Sequence, residues 1–359
     1  MKTVAEFDLP GLPAQKSSRT TRYGWAVPIL LGALLLLAVF ASLCIGAYPV
    51  PFDHAVRLLL MLLWPFHAAN NAGWDLRETA VMTIIRPPRV LVAALAGLGL
   101  GISGTALQGM LRNPLVSPDI LGVTSGAAFG GVLAIALGLP PAALLGLAFA
   151  GGLLAISSVF ALAKLAHGGN NSMVLILAGV FLGAFFLALI GLVEAYGNIF
   201  RIVPWLLGSF VNADWQKVKT IALPTLAGGA VLMGLRWRLN LLSLGDLDAR
   251  SLGIPVAALR WTVILLVSVI VSAQVAVSGI VAWVGLVVPH CARMLVGPDH
   301  RRLLPTAGLL GALFVLGLDD LSRTSVHLHL AVGVSTALVG TPLVCFLLWR
   351  SKGKGWGRE

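Results

Sequence analysis

Charge is scarce in this 359-residue sequence. Only 11% of its residues are Asp, Glu, Lys or Arg, against about a quarter in a soluble domain of ordinary composition. Acid is scarcer than base, with 14 Asp and Glu against 25 Lys and Arg. There are three cysteines, Cys44, Cys291 and Cys345, scattered through apolar stretches with no C-x-x-C pair. That excludes a disulfide scaffold and gives no metal knuckle, and buried, unreactive thiols are expected. No G-x-x-x-x-G-K-[ST] occurs, so the chain has no recognisable cradle for ATP phosphates. Acidic groups are also missing from the middle of the apolar runs, where an ion-driven carrier places them.

What is present is apolar: 58% of residues are hydrophobic and 41 are glycine. Separate runs approach the ~20 residues needed to cross a bilayer. Ten spans are expected, near 25–47, 90–111, 119–138, 141–165, 173–195, 220–236, 259–278, 281–295, 303–319 and 331–349. The fold class is therefore all-α and polytopic. The first run is too long for a signal-peptide core, and Leu43 is too large to precede a lipoprotein cysteine at Cys44, so an uncleaved first helix is expected. Segment 199–212 is too short to span and reads as a re-entrant or surface helix. Residues 1–22 and 351–359 read as polar tails around one membrane domain, 23–350.

The net charge of +11 would point to nucleic acid in a soluble protein, but here the basic residues sit in short loops between spans. With the N-terminus inside, 17 of the 25 Lys and Arg fall inside and 8 outside. That bias places both termini in the cytoplasm and removes nucleic acid as a partner, leaving membrane lipid.

Several stretches are more specific. Gly97, Gly101 and Ser103 lie at small-residue spacing in GLGLGISGTALQGML (97–111), a face that permits close helix packing. Gln108 adds a polar group that faces either a neighbouring helix or a water-filled path. RNPLVSPDILG (112–122) follows, where Pro114 and Pro118 stop helix. It is either a plain turn or irregular backbone lining a cavity, with Asn113 able to pair freed backbone groups. LSLGDLDARSLGIP (242–255) reads as a short helix capped by Asp246 and closed by Gly253 and Pro255. Its Leu244, Leu247 and Leu252 would be uncovered, which fits either a docked partner or a helix lying on the membrane. His290, beside Pro289, and the pair His327 and His329 are weak metal candidates. Gly101-Ile102-Ser103-Gly104 mimics the nucleophile turn of an intramembrane serine protease, but no supporting histidine motif accompanies it. A secondary transporter remains the other alternative, on span count alone.

Taken in order, RPPRVL (86–91), the glycine face with Gln108, RNPLVSPDILG, PWLLGS (204–209), LSLGDLDARSLGIP, VGLVVPHCAR (284–293), GPDHRRLLP (297–305), Asp319 with Arg323, and Gly340-Thr341-Pro342 resemble the FecCD family of ATP-binding-cassette importer permeases. The resemblance runs from about residue 86 to 350 and departs at Trp283, His329 and Ala331. It implies ten helices per subunit and carriage of iron–siderophores, cobalamin or haem, with the SPDILG wording closest to the siderophore branch. It implies that Arg86, Arg89 and Arg323 dock a substrate-binding protein outside. Gln108, Asn113, Leu115, Ser172 and Met173 would surround the inner gate and translocation path. Leu244, Gly245, Asp246, Leu247, Arg250 and Gly253 would couple to the ATPase. The implied partners are a cytoplasmic ATPase dimer, a second permease subunit and the binding protein. No cofactor or metal is expected on this chain, since ATP and Mg belong to the ATPase. The implied location is a bacterial inner membrane.

Overall fold

The computed structural model describes residues 25–46, 48, 51, 53, 76–166, 172–324 and 331–351. The tails, His327, His329 and most of the 48–85 loop lie outside them. The described residues form a helical bundle with no strand. Its helices are α1 (Ala26–Cys44), α2 (Leu76–Ala80), α3 (Arg86–Leu111), α4 (Val123–Ala136), α5 (Pro141–Leu165), α6 (Ser172–Tyr196) and α7 (Ile199–Leu206). They continue as α8 (Trp215–Gly234), α9 (Arg236–Leu244), α10 (Asp246–Ser251), α11 (Val256–Ser278), α12 (Val284–Val296), α13 (His300–Thr324) and α14 (Val332–Ser351). Among the described residues, six helices are long and apolar enough to cross a membrane. A seventh forms if α8 and α9, bent by 58° at their junction, are one span, and three shorter apolar helices complete the ten expected segments.

The central helix is α3, against which α8, α11, α12 and α13 pack. It runs antiparallel to α13 in backbone contact: a methyl group on Gly97 would collide with the Gly311 carbonyl, and one on Gly101 with the Ala307 carbonyl. Lipid gives helices no hydrophobic reason to associate, so this close approach, and the dispersion contacts it allows, is what holds the seam. The expected glycine face is this seam.

Two corrections concern helix starts. The span expected from residue 90 continues backwards through Pro87 and Pro88, because a π-helical segment, Val81–Ile85, precedes α3. Prolines lack an N–H and leave carbonyls one turn earlier unpaired. The Trp215 indole N–H fills one, donating to the Thr83 carbonyl at 3.1 Å. The span expected from 119 begins at Val123, after a non-helical run through 112–122.

With 14 and 13 residues, α4 and α12 reach only about 20 Å, short of the ~30 Å hydrocarbon core. Irregular backbone therefore enters the bundle before each, and it is covered by protein: the Pro118 ring lies against Gly285 at the start of α12. Segment 199–212 is α7 plus a turn seated on other helix ends. Ser209 N donates to Ser278 O at 2.9 Å, and Val332 N donates to Gly208 O at 2.9 Å. The thiols are less buried than expected: Cys44 and Cys291 are half-buried and Cys345 is exposed.

Candidate functional site

At one end of the bundle the three expected docking arginines converge on a cavity of 540 Å³, lined also by Tyr48, Pro204 and Ser209. None of the three is a loose surface cation. The carbonyls at the end of α1 have no intrahelical partner, and two arginines supply them. Arg86 donates to Leu43 O at 2.7 Å, to Cys44 O at 3.2 Å and to Tyr48 O. Arg323 donates to Ser42 O and Ile45 O, both at 3.2 Å. Arg323 also pairs with Asp320 and, at 3.2 Å, with Asp319. Asp319 is fully buried and receives Arg89 through both Nε and Nη2, at 2.8–3.1 Å. Arg89 Nη1 keeps no partner among the described residues. The cluster ties α1, α3 and α13 together. Removing one member of so buried a set would strand charge at a cost of about 3–5 kcal/mol.

At the opposite end, Gln108 is buried to 2% exposure. Its amide donates to Val116 O at 3.3 Å and Leu286 O at 3.5 Å, and its oxygen accepts from Arg293 Nη2 at 2.9 Å. Of the two expected surroundings it takes the helix neighbour: it fastens the 112–122 turn and α12 to α3. Asn113 Oδ1 accepts from Leu115 N at 2.9 Å, pairing a freed backbone group as expected. Leu115 itself is 47% exposed. Ser172 and Met173 open α6 about two turns before Gly179, where α6 touches the turn at Ile120 and Leu121. Met173 is 71% exposed.

The 242–255 segment folds as a short helix, with one correction. Asp246 is not its cap. Gly245 holds the N-cap position at φ 132° with no side-chain cap, and Asp246 is the first helical residue. The carboxylate turns inward instead, accepting from Arg260 Nη2 at 2.7 Å with Arg112 Nη2 3.8 Å away. At the far end, Gly253 N donates to Arg250 O and Ile254 N to Ala249 O, both at 2.9 Å. With Gly253 at φ 79°, this is the double bond of a Schellman stop. Ala249 is buried, and Arg250 faces outward. Leu244, Leu247 and Leu252 are 59%, 81% and 56% exposed, as the pattern predicts. The preceding α9 is anchored by Asn240, whose amide donates to Asp299 at 2.6 Å and whose oxygen accepts from His300 N at 2.8 Å. Partial burial raises the Asp299 carboxyl, but the Arg301 N–H, the Asn240 amide and the charges of Arg301 and Arg302 outweigh it and hold it below the usual range.

Residues 34–350 match the FecCD transport family. The chain belongs to that family. It is 40% identical to the molybdate import system permease protein MolB of Haemophilus influenzae, over 91% of this chain and 97% of that one. It is 37% identical to the hemin transport system permease protein HmuU of Yersinia pestis, over 90% and 96%. Among solved structures, an inward-facing metal-chelate type ABC transporter superposes with a TM-score of 0.79 at 37% identity, covering 90% of this chain and 99% of that one. The chain is thus a multi-span permease of the ABC-importer class. Neither alternative gains support. Among the described residues the fully buried Ser103 hydroxyl has no hydrogen-bond partner, and a methyl on Gly104 would collide with the Gly285 carbonyl, so the would-be nucleophile turn is packing.

Sequence reasoning missed the partners that position these groups: Ser42, Arg112, Asn240, Arg260, Arg293 and Asp299. The i,i+4 spacing of Asp319 and Arg323 was a readable signal. For Arg260 the only hint was a cation at the start of an apolar run.

Proposed function

We propose that this chain is the transmembrane permease subunit of an importer that moves a ferric siderophore or related metal chelate from a binding protein into the bacterial cytoplasm. It pairs with a second permease subunit, identical or not, around the translocation path. The Lys and Arg bias supports the orientation, with both termini and α10 inside and the Arg86 cluster outside. The observation that carries the reading is α10: a stopped, pinned helix with three uncovered leucines. Such a patch on a structured loop is the surface an ATPase would cover. The chain contributes no ATP chemistry of its own; the ATPase dimer supplies it with Mg.

Leu115 and Met173, exposed near the same end, are positioned to border the inner gate. Outside, Arg86, Arg89 and Arg323 line one cavity and together give it a positive potential. That potential guides encounter with acidic lobes of the binding protein, and its effect fades with salt.

A second reading of the cargo rests on the 40% identity to a molybdate permease: an oxyanion in place of a chelate. The test is ATP hydrolysis by the reconstituted complex with its binding protein presented in turn with ferric hydroxamate, ferric citrate, haem, cobalamin and molybdate. The reading predicts stimulation by a ferric chelate. Stimulation by molybdate alone would overturn the chelate assignment.

A further inference from the structure

Arg112 carries the second feature of the inner end. It is a non-glycine residue held at φ 52°, at the C-terminus of α3 and the head of the 112–122 turn. Nothing about its backbone requires a long side chain; glycine adopts this conformation freely. Its guanidinium reaches across to Asp246, with Nη2 3.8 Å from the carboxylate. The same guanidinium lies over Gly245, where an added Cβ would sit 3.3 Å from Nη1. Asp246 is the first residue of α10, and Gly245 is the joint between α9 and α10. Behind Arg112, the Gln108 carbonyl accepts from Asn113 N at 3.2 Å, and the Gln108 side chain grips Val116 O, Leu286 O and Arg293. A continuous polar chain therefore runs from the joint of the docking helix, through one exposed charge pair, to the turn beneath α4 and to α12.

We propose that Arg112 and Asp246 are the pair that transmits movement of α10 to the 112–122 turn. They are positioning residues that set where the gate turn sits when the ATPase pulls on the docking helix. Arg260 holds the carboxylate at a fixed point on α11, and Arg112 reads its position. The pair is partly exposed, Arg112 by 44% and Asp246 by 20%, which suits a contact that loosens and reforms rather than a permanent clamp. This rests on the reading of α10 as the ATPase-docking helix.

The test uses the full complex of permease, ATPase and binding protein in proteoliposomes. Cys44, Cys291 and Cys345 are replaced, and a reporter Leu115→Cys marks the turn. The readout is the change in maleimide labelling of the reporter on trapping with ATP and vanadate. Arg112→Gln reduces this change by about two- to five-fold, the scale of a lost exposed charge pair. Its ATPase co-purifies at the reporter background's level. Arg112→Lys restores part of the response. Arg112→Gly, which removes the backbone strain together with the guanidinium, behaves like Arg112→Gln. Adding Arg112→Gln to Asp246→Asn causes no further loss, as required of two residues acting through one contact. An unaltered labelling response in Arg112→Gln, or a full response in Arg112→Gly, overturns the proposal. Failure of the docking reading looks different: Leu247→Lys then leaves ATPase recovery unchanged, whatever Arg112 does.

Discussion

The two ends of α3 handle arginine in opposite ways. Where α3 begins, Arg86, Arg89 and Arg323 are nearly buried, multiply bonded, and shared among α1, α3 and α13. Where α3 stops, Arg112 is 44% exposed, backbone-strained, and paired with a single carboxylate beside a glycine joint. Buried charges with many partners fix a geometry, because leaving any one of them unpaired is costly. The longer, half-exposed contact of Arg112 with a carboxylate that Arg260 already holds contributes little to stability and can change at little cost. Charge thus locks one end of α3, and the proposed role of Arg112 makes the other end a joint.

The comparison breaks first at Asp319. Asp319→Ala strands Arg89 and Arg323 and should cost about 3–5 kcal/mol, read as a fall in the denaturation midpoint of the detergent-solubilised chain. A loss under about 1 kcal/mol, the worth of a surface pair, would mean the Asp319 cluster is no lock. Gly97→Val follows, because the collision is with the Gly311 backbone, which cannot swing aside. About 1–3 kcal/mol is expected, the usual cost of overpacking, while wild-type stability would show that the seam opens freely. At the other end, Leu247→Lys should leave the denaturation midpoint in place and weaken ATPase docking by about 2 kcal/mol. Titration of the purified ATPase onto the reconstituted chain measures this. The smallest effect concerns Asp299. Its carboxyl is depressed on folding, so its contribution is complete above the ordinary Asp pKa of about 3.9 and is lost as the pH falls below it. The acid limb of a stability profile should therefore flatten slightly in Asp299→Asn. A steeper acid limb would contradict the Asn240–Asp299 anchor.

The bundle was legible because lipid imposes a strong rule: backbone groups that face lipid must pair within their own apolar segment, which for these runs means helix. All ten expected segments are helical. Local chemistry also carried through where it was local, as in the Asn113 turn, the Gly253 stop and the exposed leucines. Misreadings came where a partner far along the chain decided the outcome. Asp246 has the composition of a cap, yet Arg260, fourteen residues on, takes its carboxylate. Pro87 and Pro88 look like a boundary, yet a π-helical segment and the Trp215 indole carry the helix through them. Arg86 and Arg323 look like free cations at a mouth, yet they supply the carbonyls at the end of α1, more than forty and almost three hundred residues away. Pairings at such separation leave no periodicity to read.

The most direct measurement is cargo uptake by proteoliposomes holding this permease with its ATPase, given the loaded binding protein outside and ATP inside. The account predicts accumulation of a ⁵⁵Fe-labelled siderophore that needs ATP, the ATPase and the binding protein together, and that survives collapse of the proton and sodium gradients. Uptake by the permease alone, driven by an ion gradient and indifferent to ATP, would contradict it.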